Sequence, residues 1–376
     1  MNDAPPATFE IFLGTAPGLE TLLFEEVKEA GFDHVNMVGG GVTIIGGWAE
    51  VWRANLTLRG ASKVLARIGE FRAFHLAQLD KRSRKFPWAD VLTPEHSVKV
   101  EVVTNKKSKI YHAGAAIERI ERAISEELGA PIVESVTDAD IVIKTRIDRN
   151  NVILSVDSSG EGLHKRGYKQ AMGKAPLRET MAALLLRGCG YDGTEPVLDP
   201  MCGSGTILIE AAEMARGLLP GRGRSFAFEK LATYNSDRVK AIKQSALPKA
   251  VTPKFYGSDR NVKVIGYAAE NAARAGVDDL CIFAPHPLSK IKRPNGPPGL
   301  VMVNPPYGAR IGKKKDLFAL YRSFGEIMQN NFQGWRIGLV TSDTNLAEAT
   351  GLPWLPTDAP IAHGGLRVKL FQTGKL

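Results

Sequence analysis

The chain has 376 residues, 44% of them hydrophobic and 24% charged, which describes an ordinary soluble globular protein of two or three domains and excludes a disordered or fibrous one. Its 49 Lys and Arg against 40 Asp and Glu leave a net charge of +9, a balance that favours an anionic partner such as nucleic acid. Three scattered cysteines without CxxC spacing, Cys189, Cys202 and Cys281, give no disulfide framework or metal site and suit a reducing cytoplasm.

The start "MNDAPPATFE" lacks the basic-then-apolar pattern of a secretory signal, and no aliphatic run approaches the ~20 residues of a membrane span. From 9 to 71 the pattern predicts strand, helix, two strands, helix and strand: "FEIFLG", 19–30, "HVNMV", "GVTIIGG", "WAEVWRANLTLR" and "KVLARIGEF". That βαββαβ order is the one of a ferredoxin-like unit. Next comes a basic stretch, "LAQLDKRSRKFPWADVL", then the alternating strand "SVKVEVVT". A helix follows with Ile117, Ile120, Ile124 and Leu128 on one stripe, and then two strands joined across "DRNN". Beyond about 176, strands and helices alternate: "PVLD", helix 206–215, "KFYGSD", helix 261–275, "LCIFAP", "GLVMVN", helix 316–331, "WRIGLVTS" and "LRVKLFQT". Nearly continuous apolar strands between helices indicate a parallel sheet covered on both faces. The expected domains are 1–72, 73–162 and 163–376, with an insertion at 217–254 carrying one short helix.

Two motifs carry chemistry. In "LDPMCGSGTILIE" (198–210) a strand ends at Asp199, Gly203 and Gly205 make a tight turn, and Thr206 opens a helix. Such a turn lets backbone approach a ligand beyond the carboxyl ends of a doubly wound sheet. The third glycine of a dinucleotide fingerprint is replaced by Leu208, which weakens a pyrophosphate reading, and no lysine follows the glycines as a P-loop requires. Asp259 ends the next strand, where a carboxylate can accept both hydroxyls of a ribose. The bland alternative is a plain turn at 203–205 and a helix cap at 259.

In "LVMVNPPYG" (300–308) two prolines stop an apolar strand abruptly. The Asn304 side-chain oxygen and the Pro305 carbonyl can each accept an N–H, with Pro306 fixing the backbone and Tyr307 stacking on a ring. An exocyclic base amine is a poor nucleophile because its lone pair is delocalised. Two fixed acceptors draw the nitrogen towards tetrahedral geometry and aim that pair at an electrophilic methyl group, so catalysis rests on positioning and electrostatics.

With both motifs the sequence resembles the class I S-adenosylmethionine-dependent amino-methyltransferases. The lead-in "GLHKRGYKQAMGKAPLRETMAALLL" (162–186) and "RGLLPGRGRSFAFEKL" (216–231) are similar to bacterial THUMP-domain RNA guanine-N2 methyltransferases, above all those acting on 23S ribosomal RNA. The resemblance implies an α/β architecture: a C-terminal Rossmann-like methyltransferase sheet preceded by α+β ferredoxin-like and THUMP domains. It also implies that Asp199, Met201, Cys202, Gly203, Gly205 and Thr206 surround S-adenosylmethionine, with Asp259 on its ribose and Thr180 as a further contact. Asn304, Pro305, Pro306 and Tyr307 would hold the target base. Where the family usually has an acidic adenine contact, this chain has "APHPLSK" with His286.

The expected partner is RNA, 23S rRNA or a large-subunit precursor, with neither metal nor membrane. Candidate RNA contacts are Lys81, Arg82, Arg84 and Lys85 with Phe86 and Trp88, then Lys106, Lys107 and Lys109, then Lys165, Arg166, Lys169 and Lys174. Arg310 and Lys313, Lys314 and Lys315 follow the second motif. A tRNA guanine methyltransferase, an adenine-N6 methyltransferase and a non-catalytic RNA-binding or ribosome-assembly factor are the alternatives.

Overall fold

The computed structural model describes residues 8–170, 177–307 and 314–376. In chain order its elements begin β1 (Phe9–Gly14), α1 (Glu20–Glu29), β2 (Asn36–Val38), β3 (Gly41–Gly46), α2 (Trp48–Thr57) and β4 (Lys63–Arg72). Then come α3 (Leu76–Arg84), β5 (Val98–Thr104), α4 (Ala113–Leu128), β6 (Ile141–Asp148) and β7 (Asn151–Asp157). The rest are α5 (Glu179–Gly188), β8 (Val197–Asp199), α6 (Thr206–Arg216), α7 (Ser236–Ser245), β9 (Phe255–Ser258), α8 (Val262–Ala275) and β10 (Cys281–Ala284), followed by β11 (Leu300–Val303), α9 (Lys314–Asn331), β12 (Arg336–Thr341), α10 (Thr344–Glu348), β13 (Ile361–His363) and β14 (Leu366–Gln372). Among the described residues no helix is long and apolar enough to cross a membrane.

These elements divide into two compact units. Among the described residues, one comprises 8–15, 24–163 and 224–245, the other 16–23, 164–170, 177–223, 246–307 and 314–376. In the first unit a single seven-stranded sheet runs β2-β3-β1-β4-β7-β6-β5. Its β2-β3-β1-β4 portion has the ferredoxin-like order, and β4 continues the sheet by pairing antiparallel with β7 from Leu65↔Asp157 to Arg72↔Asn151. The basic stretch is helical over α3, which the sequence reading left unassigned. The β6–β7 hairpin closes through Arg149 and Asn150, both at left-handed φ (49° and 63°), the conformation a two-residue hairpin turn demands. The middle of the insertion belongs to this unit: Phe228 N–H donates to the Ser158 carbonyl (2.9 Å), and Lys230 pairs with Asp140.

In the second unit the sheet runs β10-β9-β8-β11-β12-β14-β13. The five strands from β10 to β12 are mutually parallel, while β14 and β13 add antiparallel strands that the parallel-sheet expectation did not include. Helix α5 is buried along Glu179–Leu186, so its apolar run is core rather than membrane span. An aromatic-rich cluster fills the space between α9 and the strands: Tyr321, Phe324, Met328 and Phe332 pack with Leu198, Val301, Val303 and Leu339. Gly325 lets α9 approach so closely that an added Cβ would fall 1.7 Å from the Thr350 carbonyl oxygen. Gly266, exposed on α8, has nothing within 4 Å of its missing Cβ.

These two glycines make opposite predictions. Gly325→Ala lowers the denaturant midpoint by overpacking, at a cost of about 1–3 kcal/mol, whereas Gly266→Ala raises stability by about 0.5–1 kcal/mol through helix propensity. Equilibrium denaturation of both variants checks the α9 and α8 packing.

Candidate active site

The glycine turn is held from four sides. Asp199, only 2% exposed at the end of β8, accepts the Met201 N–H (3.0 Å). Cys202 N–H donates to the Ser258 carbonyl at the end of β9 (2.9 Å), and Gly203 N–H donates to Asp259 Oδ2 (3.2 Å). Ser204 lends its carbonyl to the buried Asn271 amide (3.2 Å), whose Oδ1 in turn accepts from Arg274 (2.6 Å). Thr206 Oγ1 accepts from Lys169 Nζ (2.8 Å), which also reaches the Leu177 carbonyl (3.0 Å) and the Glu179 carboxylate (3.3 Å). The two glycines do different work. Gly205 (φ 83°) precedes α6 where a Cβ would press on Ala268 and the Phe283 ring at 3.1 Å. Gly203 (φ 52°) faces open space, so its backbone is the part of the turn a ligand can approach.

Burial pushes the Asp199 carboxyl up to about 8, reinforced by the negative charge of Asp259 and opposed by the Met201 N–H. Asp259 is not the helix cap: Asn261 fills that role by accepting the Lys263 N–H (3.0 Å), while Asp259 spans Gly203 and Asn261. Each of its oxygens keeps a lone pair for a further donor.

The second motif ends the adjacent strand. Parallel pairing of β11 with β8 (Leu300↔Val197, Val301↔Leu198) brings Asn304 and Asp199 to the same edge. Asn304 is half-buried, and its Oδ1 is shut off from solvent yet accepts no hydrogen bond among the described residues. An acceptor left in this state costs free energy unless a donor arrives. Pro305 is buried, and the Pro306 carbonyl accepts the Tyr321 hydroxyl (3.3 Å), which fixes the turn. Met201 and Tyr307 pack against the same apolar cluster, the one containing Leu198 and Val303. The glycine turn and the Asn-Pro-Pro-Tyr turn therefore share one neighbourhood. Burial raises the Tyr307 phenol above its ordinary range.

Of the other expected cofactor contacts, Thr180 is buried in the first turn of α5 and Cys202 is buried within the turn itself. The His286 side chain is exposed beyond β10.

Burial corrects two expected RNA contacts, Trp88 and Arg166, and others are found engaged in pairs within the protein. Trp88 is 2% exposed and spends its indole N–H on the Ser83 carbonyl (2.8 Å), so it cannot stack on a base. Phe86 is half-buried and lies over Gly69, where a Cβ would fall 2.3 Å from its ring, so its remaining face is still open to a base. Arg84 is tied to Asp80, Glu126 and Glu127. Arg166 is buried against Glu210 (3.1 Å), and Lys169 belongs to the network beneath the glycine turn. Lys81, Arg82, Lys85, Lys106, Lys107, Lys109, Lys165 and Lys315 are exposed. Lys174, Arg310 and Lys313 lie outside the described residues, as does the side chain of Lys314. Sequence reasoning missed Asn271 and Arg274, which support the turn from α8 and carry no local motif.

Fold and site together define a Rossmann-like domain of the methyltransferase class. Residues 166–354 match the family of RMKL-like methyltransferase domains, and the chain belongs to that family. Residues 10–65 match the RlmL ferredoxin-like domain and 75–157 the THUMP domain. Among curated relatives, the ribosomal RNA large subunit methyltransferase K/L of Vibrio parahaemolyticus is 36% identical over 348 residues, covering 88% of this chain and 48% of the relative. Its counterpart in Cellvibrio japonicus is 34% identical over 363 residues, with 91% and 48% covered. The chain thus spans about half the length of the curated relatives it matches. Among solved structures, SMU.472, described as a methyltransferase and complexed with SAH, superposes with a TM-score of 0.87 at 25% identity over 98% of both chains. A Listeria monocytogenes protein named for N6-adenine-specific DNA methylation superposes at 0.86, with 28% identity over 98% and 97%.

Between pH 4 and 8 the folded protein keeps the Asp199 proton that the unfolded chain has lost, so this residue makes stability fall as pH rises through that window. Asp199→Asn, which stays neutral, flattens that fall. Thermal midpoints of both proteins across pH 4–8 check it, and parallel profiles would remove Asp199 from this role.

Proposed function

We propose that this protein transfers a methyl group from S-adenosylmethionine to the exocyclic N2 of a guanosine in RNA, 23S rRNA or its precursor being the preferred substrate. The observation that carries the reading is the buried Asn304 Oδ1, without a hydrogen-bond partner among the described residues, at the sheet edge that also carries Asp199. The residues present suit the donor: an open left-handed glycine at 203, a carboxylate at 259 with lone pairs to spare, and a buried acid at 199. When bound, the donor supplies an electrophilic methyl on a sulfonium. The chain's own part is to hold and orient. Asn304 Oδ1 and the Pro305 carbonyl accept the two N–H groups of the base amine, and Tyr307 covers the ring. Their pull makes the nitrogen pyramidal and steadies the positive charge that grows on it as the N–C bond forms and the S–C bond breaks. One amine proton then leaves to solvent. Asp259 would hold the ribose hydroxyls, and the glycine turn would hold the methionine part.

The RNA half of the reading is supported by the THUMP match at 75–157, by the names of the curated relatives and by the charge of +9. A base inside a duplex must be extruded before its amine is accessible, which makes a separate gripping module physically reasonable. Adenine N6 is the second reading, because two acceptors and a stacking ring suit any exocyclic base amine and one close structural relative bears that name.

Asn304→Ala is expected to lower kcat at least about 100-fold while donor affinity stays within a few-fold, the pattern for removing an interaction made to the reacting amine alone. Calorimetric donor binding and single-turnover methylation of RNA measure the two halves. RNA from a deletion strain lacks one N2-methylguanosine on this reading; persistence of every such nucleoside, with an N6-methyladenosine lost instead, selects adenine.

A further inference from the structure

At one end of the seven-stranded sheet, three loops of the first unit are fastened together through Asn150. Its carbonyl accepts the Ala73 N–H (2.9 Å), its Oδ1 accepts the Lys109 N–H (2.8 Å), and its own N–H donates to Ser108 Oγ (3.4 Å). The 105–110 loop is closed further by Thr104 Oγ1 donating to the Ile110 carbonyl (2.6 Å). The backbone is therefore ordered in advance, while several side chains it carries are left facing water. Phe74 is 40% exposed and Tyr111 55% exposed, with the His112 ring 4.3 Å from that of Tyr111. Lys109 Nζ lies 5.8 Å from the Phe74 ring centre. Asp148 is held below the ordinary carboxylate range, first by the Asn105 amide and then by the charges of Arg146, Arg149 and Lys107, so these three cations converge on one acid. Lys106, Lys107, Lys109, Arg146 and Arg149 are all exposed.

We infer that this end of the sheet is a stacking platform for unpaired nucleotides of an RNA: Phe74 and Tyr111 receive bases, and the surrounding lysines and arginines receive the flanking phosphates. Large exposed aromatic faces cost hydration free energy, and here they stand among cations on loops whose backbone is already fixed. An apolar protein partner would be poorly served by rings that share their loops with exposed lysines and arginines. A duplex would offer phosphates but no accessible base face, leaving the aromatics unused. A single-stranded segment satisfies both components at once, since every base has a face to stack and the backbone supplies the anions. The inference rests on the RNA reading above and moves the stacking role from the buried Trp88 to exposed residues.

The test is binding without methyl donor, so its result is separate from catalysis. The probes are a fluorescein-labelled oligouridylate of about a dozen residues and a blunt RNA duplex of similar length. Phe74→Ala and Tyr111→Ala should each weaken oligouridylate binding about tenfold without changing its salt dependence, while Tyr111→Phe binds as the parent does. Lys109→Gln with Arg149→Gln should instead reduce the salt slope by about 0.7 per cation. Duplex binding should respond to the cation changes and not to the aromatic ones. Parent-like oligouridylate affinity in both alanine variants overturns the platform and leaves the patch to a protein partner. Equal losses on duplex overturn it as well, and absence of RNA binding by the parent overturns the RNA reading with it. Both aromatic rings are solvent-exposed, so a folding defect does not obscure the outcome.

Discussion

The interaction on which the site depends is the parallel pairing of β8 with β11. The first three strands of the second sheet are laid down in one direction, β8 then β9 then β10, and the chain then returns to the other side of β8 to form β11 and β12. At that reversal the loops leaving two adjacent strands diverge above and below the sheet, which opens a crevice no single loop could make. The register Leu300↔Val197 sets the ends of both strands level, so a glycine turn and a proline-stiffened turn meet across it. A shift of that register would leave every motif residue intact and the site dispersed.

Beyond the bond from the Met201 N–H to Asp199, the glycine turn is held by groups from the surrounding chain. Asn271 from α8, Lys169 from the approach to α5, and Asp259 beyond β9 each take one group of the turn or of the helix start behind it, and Arg274 steadies Asn271 from one turn further along α8. Arg166 and Glu210 bury a full ion pair nearby, 2% and 0% exposed. Such buried pairs add little net stability compared with apolar packing, though breaking one leaves a stranded charge at a cost of about 3–5 kcal/mol. The acceptor turn follows the same logic through different means, with two prolines and the Tyr321 hydroxyl restricting the backbone, and Asn304 Oδ1 has no partner among the described residues.

The sequence made the periodic elements and both motifs readable because each is a local signal: apolar runs for strands, glycine at left-handed positions, prolines at a strand end. The ferredoxin-like order of β1 to β4 and the helices α6, α8 and α9 follow from such patterns. Three things had no local signature. The continuation of the first sheet through β4 and β7 joins residues far apart in the chain, and the placement of 224–245 with the first unit depends on partners such as Ser158 and Asp140. Exposure was the third. Trp88 and Phe86 beside four cations look like an RNA-stacking pair, yet Gly69 leaves a hollow in β4 for Phe86, and the Ser83 carbonyl claims the indole. Phe74 and Tyr111, less conspicuous in sequence, are more exposed.

The account stands or falls on where the donor's sulfur lies. A crystal structure with S-adenosylhomocysteine should place the ribose on Asp259, the methionine carbon chain along Gly203, and the sulfur facing Asn304 Oδ1 across the β8–β11 crevice. Ligand bound with its sulfur turned away from Asn304, or lodged elsewhere on the chain, would contradict it.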